Sequence, residues 1–578
     1  MKGAEILIDA LINEGVDTIF GYPGGVVIPI FDVLYRTDKI RFILTRHEQG
    51  ATHAADGYAR ATGKVGVCLV TSGPGATNTI TGIANARMDS IPIVVISGQV
   101  DTANIGTDAF QETDMIGLTR SITKHNYLVK SVEELPIVLK EAFYIARTGR
   151  PGPVAIDIPV NVSNAHLKNY QYPSEVSLPG YKPVTNGNPK QIEKLAQAIK
   201  AAKKPLLYTG GGIVSANAEP ELLALLDKTN IPIVITLMGL GSIPSDYPTF
   251  LGMPGMHGTM AANLALNECD LLIGIGVRFD DRITGKREQF ARQATVAHID
   301  IDPAEIGKII KPHIPVVGDA KKILSELVKK VSPRPKDEWN ERTLAWKNQY
   351  PMTYDQDAEE AILPQYVIDR VSALADPDAI LVTDVGQHQM WAAQYYRHRK
   401  PRSFISSGGL GTMGFGLPAA MGAAVGRPGH TVITISGDGS IQMNIQELAT
   451  CSINKIPVKV IILNNSYLGM VRQWQELFWD EHYSQTCLKR SPDCPPQCTG
   501  PRKDCPSVYI PDFVKLAEAN RIYGYRATKP EEVDDVLKQG LSQPGPVIME
   551  FVVKSIENVY PMIPSGKTIS DVIPGRQS

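Results

Sequence analysis

Apolar, β-branched runs alternate with amphipathic stretches along almost the whole chain, a pattern that predicts parallel α/β architecture. In the first part, residues 4–13 carry a helical period, and 18–20 form a strand ending in Gly21-Tyr22-Pro23-Gly24-Gly25. Residues 41–44 form a strand ending at Arg46-His47-Glu48, 49–61 a helix, 65–71 a strand running into Ser72-Gly73-Pro74-Gly75, and 93–97 another strand. A middle part repeats the alternation with strands at 205–208, 231–236, 271–276 and 296–300, the first ending in Thr209-Gly210-Gly211-Gly212. Near the C-terminus a strand at 431–435 breaks at Ser436-Gly437-Asp438-Gly439-Ser440, resumes as a helix over 441–451, and continues as a strand at 458–463 ending on Asn464-Asn465. This strand, Gly-rich turn, helix and strand repeat the order seen from 65 to 97, which predicts two related modules. Polar or Pro-containing stretches at 163–188 and 329–357 read as linkers. The expectation is α/β with three doubly wound parallel-sheet domains, 1–165, 190–340 and 362–555, and a tail over 556–578.

At 578 residues the chain exceeds one core. A 43% hydrophobic and 20% charged composition is that of an ordinary globular protein. The net charge of −2 gives no reason to expect a nucleic acid or an anionic membrane as partner. No run of about 18 apolar residues predicts a membrane span, and the N-terminus lacks the apolar block of a signal peptide. Seven cysteines, three of them in core-like runs, fit a reducing compartment, so a cytoplasmic location is expected.

The chemistry gathers where strands end, the edge at which doubly wound sheets bind ligands. Asp438 offers a carboxylate and Asn465 an amide oxygen, and the glycines beside Asp438 let backbone and a phosphate approach closely. Hard oxygen donors of this kind suit Mg²⁺ shared with a phosphate. A βα turn with a capping Asp is the plain alternative, but Asn464 and Asn465 follow Gly439 by 25 and 26 positions. Glu48 holds the same kind of edge position, where an acid is also favoured by the helix dipole alone.

That spacing resembles the thiamine diphosphate signature. The resemblance implies that Asp438, Asn465 and the carbonyl of Tyr467 hold Mg²⁺ on the cofactor's diphosphate, beside Gly439 and Ser440. It also implies that Glu48 drives the aminopyrimidine to its imino tautomer. Further stretches are similar, nearly end to end, to the acetohydroxyacid synthase family. They include Asp108-Ala109-Phe110-Gln111-Glu112, Gly149-Arg150-Pro151-Gly152-Pro153, Gly255-Met256-His257-Gly258-Thr259, Arg278-Phe279-Asp280-Asp281-Arg282, Gly411-Thr412-Met413-Gly414-Phe415-Gly416 and Gly469-Met470-Val471-Arg472-Gln473-Trp474. The last and the Arg278–Arg282 motif are the most selective.

The family resemblance implies a reaction. Pyruvate loses CO₂ on thiamine diphosphate, and the hydroxyethyl carbanion attacks a second pyruvate or 2-oxobutyrate, giving 2-acetolactate or 2-aceto-2-hydroxybutyrate for branched-chain amino acids. It implies that the first domain binds the pyrimidine of thiamine, the central domain FAD without net redox change, and the third the diphosphate and Mg²⁺. Gly25 then lies near the aminopyrimidine, Gln111 near the reacting carbonyl, and Met413 props the bent cofactor. Gln387, His388, Gly411, Thr412, Gly469 and Met470 approach the cofactor. Arg282 clamps the second substrate's carboxylate, with a surface ion pair to Asp280 or Asp281 as the alternative. Trp474 shapes the second-substrate pocket, with core packing as the alternative for it and for Met413. Arg150, Gly211, Gly212, His257, Arg278, Asp300 and Asp319 match FAD-contacting positions. The family also implies a homodimer or higher oligomer with active sites between subunits, and a separate regulatory small subunit.

Two departures stand out. Pro159-Val160-Asn161 replaces the family's Pro-Lys-Asp, so that lysine's role does not carry over. A segment after Tyr483 adds Cys487, Cys494, Cys498 and Cys505, spaced seven, four and seven apart among Pro, Lys, Arg and Asp. Free thiols on a loop, a disulfide or redox-labile pairing, and a zinc or iron–sulfur site all fit it, and a structural clip near the active-site entrance is expected. Rival functions are another pyruvate-using thiamine enzyme, such as a pyruvate oxidase or a catabolic acetolactate synthase, and a silent flavin- and thiamine-binding regulator. The glyoxylate carboligases have an apolar residue where Glu48 stands.

Overall fold

The computed structural model describes residues 1–357, 361–495, 497–498, 500 and 511–575. Among them, three all-parallel sheets form, each covered by helices. The first holds β1 (Thr18–Tyr22), β2 (Arg41–Leu44), β3 (Gly66–Val70), β4 (Ile93–Gln99), β5 (His125–Leu128) and β6 (Val154–Pro159), in the order β2-β1-β3-β4-β6-β5. The middle sheet holds β7 (Pro205–Thr209), β8 (Ile233–Ile235), β9 (Leu271–Ile275), β10 (Thr295–Asp300) and β11 (Ile314–Val317), in the order β11-β10-β9-β7-β8. The third holds β12 (Ile380–Thr383), β13 (Phe404–Ile405), β14 (Val432–Gly437), β15 (Val458–Asn464), β16 (Tyr523–Ala527) and β17 (Val547–Val552), in the order β13-β12-β14-β15-β17-β16. Strand for strand, the first and third sheets share one order, the relation that the repeated strand–turn–helix–strand pattern predicts.

Strands β3, β4 and β15 are buried along their whole length, which is why they read as unbroken apolar runs. In the third sheet Ile435 pairs with Ile461 and Gly437 with Leu463, so Asp438 and Asn465 leave the sheet at one edge. The first and third modules dock through the helices Glu48–Thr62 and Gly416–Gly426. A Cβ on Gly57 would lie 2.1 Å from the Ala419 carbonyl oxygen, and one on Gly422 1.8 Å from that of Ala54. Only glycine permits this approach, which fixes the helix carrying Glu48 against the third module.

Two expectations change. Residues 441–451 are not one helix: Ile441–Asn444 is a 3₁₀ turn and the α-helix is Glu447–Asn454. The tighter turn points Ile441 and Asn444 inward together, and the Asn444 amide donates to the Gly414 carbonyl at 2.8 Å. The stretch 329–357 holds the helix Glu338–Gln349, capped by Asp337. Its buried Trp339 donates Nε1–H to the Pro205 carbonyl, tying it to β7. Its inward face is narrow, Trp339, Thr343 and the half-buried Trp346, set among charged residues.

Candidate active site

Asp438, at the carboxyl end of β14, is fully buried. Its Oδ1 accepts the Asn465 backbone N–H at 3.3 Å, while Oδ2 has no partner among the described residues. Burial pushes its carboxyl up to about 7. Beside it the Asn465 side-chain oxygen accepts the Tyr467 N–H at 3.0 Å. A buried carboxylate left short of partners, next to amide and carbonyl oxygens, fits a hard divalent cation, whose charge offsets the desolvation. Ser440 Oγ, also buried, accepts the Gly437 N–H and tightens the turn, and a Cβ on Gly439 would crowd Leu468.

Gln387 and His388 open the helix Gln387–Tyr395. The Gln387 amide donates to Gln473 Oε1 at 2.9 Å and to the Glu557 carbonyl at 2.8 Å. A Cβ on Gly469 would lie 2.1 Å from Gln387 Oε1 and 2.8 Å from Asn465 Nδ2, so a side chain there would displace both amides. The His388 ring is buried, its Nε2 has no partner among the described residues, and burial holds it neutral by lowering its pKa to about 3.

A second group lies on the first module. Glu48 begins the helix Glu48–Thr62, and its Oε2 accepts from Asn78 Nδ2 at 2.9 Å. A Cβ on Gly75 would sit 3.3 Å from Glu48 Oε1, and one on Gly73 2.9 Å from the Gln111 Cβ. Glu48 and Gln111 therefore flank one Gly-rich turn. Gln111 holds φ of 60°, a left-handed conformation that costs a non-glycine residue about 1–3 kcal/mol and marks functional turns. Gly25, exposed past the end of β1, faces open space.

Between the middle domain and the other two lies a cavity of about 850 Å³, large enough for a dinucleotide. Gly211, Gly212, Arg278 and Asp300 reach it from the ends of β7, β9 and β10. A Cβ on Gly212 would meet Gly276 Cα at 2.4 Å, so the wall there is bare backbone. Asp319, which caps the helix Ala320–Lys330, and Arg150, paired to Glu305 at 2.7 Å, complete that end. Burial raises Asp300 to about 6 and lowers His257 to about 4, and neither His257 ring nitrogen has a partner among the described residues. Glycine cradles with unpaired buried polar atoms fit a polar, flat ligand.

The other end of this cavity is lined by Gly411, Met413, Met470, Trp474 and Arg282. The Arg282 guanidinium lies 5.6 Å from the centre of the Trp474 ring and makes no ion pair among the described residues. Asp280 pairs instead with Arg278 at 3.5 Å, so the surface-pair alternative for Arg282 is not formed. Trp474 and Met413 are half-buried cavity walls, not core packing. Glu48, Gln111 and Gly25 do not line the cavity, and among the described residues no hydrogen bond joins them to Asp438 or Asn465.

Asp384 escaped the sequence reading. Fully buried at the end of β12, it accepts the N–H groups of Gly414 at 2.8 Å and Gly416 at 3.2 Å, and so shapes the turn that presents Met413. Its one local signal is an acid closing an apolar run. Thr412 is buried beneath the turn. Val160 starts the short helix Val160–Asn164, and Asn161 exchanges hydrogen bonds with Thr102. The cysteine-bearing segment begins on the loop after Asn465: Leu468 N–H donates to Thr486 O and Leu488 N–H to Ser466 O. Cys487, Cys494 and Cys498 are half-buried, and Cys505 lies outside the described residues. Among the described residues no three His, Cys, Asp or Glu side chains cluster as metal ligands, and no helix is long and apolar enough to cross a membrane.

Family models match all three modules: thiamine pyrophosphate enzyme N-terminal TPP binding domain over 1–118, central domain over 192–327 and C-terminal TPP binding domain over 384–551. Acetolactate synthase of Mycobacterium bovis is 49% identical, covering 99% of this chain and 91% of its own length. Acetolactate synthase isozyme 2 large subunit of Escherichia coli K12 is 46% identical, covering 99% of both. The probable acetolactate synthase large subunit of Methanocaldococcus jannaschii is 47% identical, covering 99% of this chain and 95% of its own.

Proposed function

We propose that this chain, which belongs to the thiamine pyrophosphate enzymes and within them to the acetolactate synthase large subunits, decarboxylates pyruvate and joins the two-carbon unit to a second 2-oxo acid. The products are 2-acetolactate from pyruvate and 2-aceto-2-hydroxybutyrate from 2-oxobutyrate. The observation that carries this reading is the buried, half-partnered Asp438 beside Asn465, with Arg282 stacked near Trp474 at the mouth of the adjoining cavity. Asp438, Asn465 and the Tyr467 carbonyl would hold Mg²⁺, and Gly439, Ser440, Gln387, His388 and Gly469 would surround the diphosphate. When bound, thiamine diphosphate supplies the nucleophilic carbon and the electron sink. Asn78 fixes the Glu48 carboxyl through Oε2, which would leave Oε1 free to hold a proton toward the aminopyrimidine of a bound cofactor. Met413 supports the cofactor from the cavity side, with Gly411, Thr412 and Met470 around it. Gln111 would lie near the reacting carbonyl and Gly25 near the pyrimidine of the bound cofactor.

Arg282 receives the carboxylate of the second 2-oxo acid in a bidentate fork, and the indole of Trp474 excludes water from its alkyl group. The large cavity holds FAD, in a structural role, through Arg150, Gly211, Gly212, His257, Arg278, Asp300 and Asp319. The family likeness supports a working site between two copies, one supplying Glu48 and the other Asp438 and Asn465. The relatives named as large subunits support a separate regulatory small subunit. The test is incubation with pyruvate, Mg²⁺ and thiamine diphosphate, with and without FAD. Acetolactate is expected; unchanged pyruvate, or acetaldehyde or acetate as sole product, overturns the reading.

Trp474 sets the choice of second substrate. The extra methyl of 2-oxobutyrate gains apolar contact worth about 1–3 kcal/mol. In a competition assay Trp474→Leu is expected to cut the preference for 2-oxobutyrate about tenfold or more. An unchanged product ratio would reduce Trp474 to packing.

A further inference from the structure

A buried charge cluster on the first module grips the loop that carries Met413. Arg60, on the helix Glu48–Thr62, pairs with Asp56 and, at 2.9 Å, with Asp89, whose side chain is fully buried. Both Asp89 oxygens also accept from the loop: Oδ1 from Gly409 N–H at 2.7 Å and Oδ2 from Gly408 N–H at 3.1 Å. Arg60 donates to the Ser406 carbonyl at 2.9 Å, and its guanidinium lies 5.3 Å from the Phe415 ring centre. Between these points Asn85 Oδ1 accepts from Ser407 Oγ at 2.6 Å and Thr412 Oγ1 at 3.1 Å, while its Nδ2 donates to Asp56. The loop is held at both ends and its middle, and Met413 is the long side chain it presents to the cavity.

Two buried acids share one arginine, and the bonds from Gly408 and Gly409 N–H satisfy the two Asp89 oxygens that Arg60 alone does not. Both glycines are closely packed: a Cβ on Gly409 would meet Asp89 Oδ1 at 2.8 Å and Arg278 at 3.1 Å, and one on Gly408 would meet Met238 at 2.3 Å. Gly408 and Gly409 thus sit where all three modules meet, between Asp89, Arg278 and Met238.

From this geometry we infer that Asp89 is a positioning residue for the thiamine site, acting through Gly408 and Gly409 to fix Met413. The inference rests on the thiamine reading above. It makes the module that carries Glu48 responsible for the placement of Met413 in the same chain.

The test uses the full chain with Mg²⁺, thiamine diphosphate and FAD, and compares the parent with Asp89→Asn and Ser407→Ala. Asn keeps one acceptor but loses the second and the negative charge that faces Arg60; Ala removes one of the loop's two ties to Asn85, and the bond from Thr412 N–H to Ser407 Oγ, without touching the ion pairs. Misplacing a contact by about 1 Å can cost about 10²-fold in rate. For Asp89→Asn, kcat per folded site is expected to fall about tenfold or more while KM for pyruvate changes little, and thiamine diphosphate, followed by tryptophan fluorescence, is expected to bind more weakly. Ser407→Ala is expected to shift both readouts the same way by less. Parent-like kcat and cofactor affinity in Asp89→Asn would overturn the inference. So would a loss of activity that tracks a lower melting temperature alone, with normal kcat per folded site. If the parent itself binds no thiamine diphosphate, the thiamine reading fails instead.

Discussion

Asp438→Asn is expected to weaken Mg²⁺ binding by at least about 10²-fold and to abolish measurable turnover, since the loss of a supporting residue alone costs about 10–100-fold in metal affinity. The same substitution is expected to raise the melting temperature of the cofactor-free protein above pH 7. The reason is the buried oxygen without a partner: in the folded chain burial raises the Asp438 carboxyl to about 7, far above its unfolded value. A group raised in this way adds stability below its unfolded pKa and loses it as pH rises through the folded one. Parent and variant should therefore melt alike near pH 4 and diverge up to about pH 7, with the variant higher. Differential scanning calorimetry on the metal-free proteins checks the stability half, and Mg²⁺ titration the binding half. A variant that melts lower at pH 8, or that keeps its Mg²⁺ affinity, would show that Asp438 is structural.

Glu48→Gln is expected to lower kcat by about 10²-fold or more, the usual worth of a positioned acid–base group, while leaving the fold intact. Gln keeps the shape and can still accept from Asn78 Nδ2, so the helix start and the Gly73–Gly75 turn should be undisturbed. What it lacks is the ability to exchange a proton through the second oxygen. Steady-state kinetics with thiamine diphosphate saturation controlled separately distinguishes this from weakened binding. Near-parent kcat would remove Glu48 from the chemistry.

The strands were legible because parallel strands covered on both faces read as continuous β-branched runs, and the edge positions of Glu48, Asp438 and Asn465 followed from where those runs stop. What escaped depends on partners distant in sequence. Asp384 is only an acid after an apolar run until Gly414 and Gly416 are seen donating to it. Asp89 and Gly409 are 320 positions apart, and neither carries a local signal of the other. The 3₁₀ turn at Ile441–Asn444 was hidden for the same reason, since the Asn444 amide answers to Gly414, not to its own helix. The inward face of the helix Glu338–Gln349 is only Trp339, Thr343 and Trp346, and the charged residues between them mask that period.

The division of the site between Glu48 and Asp438 can be tested by restoring one site from two dead chains. Glu48→Gln and Asp438→Asn chains, carrying different affinity tags, are co-expressed, and the mixed dimer is isolated by both tags and assayed for acetolactate. In that dimer one site would combine both substitutions and the other would combine an intact Glu48 with an intact Asp438. Recovery of acetolactate formation well above either variant alone is the expected result; a mixed dimer as inactive as its parents would contradict a site built from two copies of this chain.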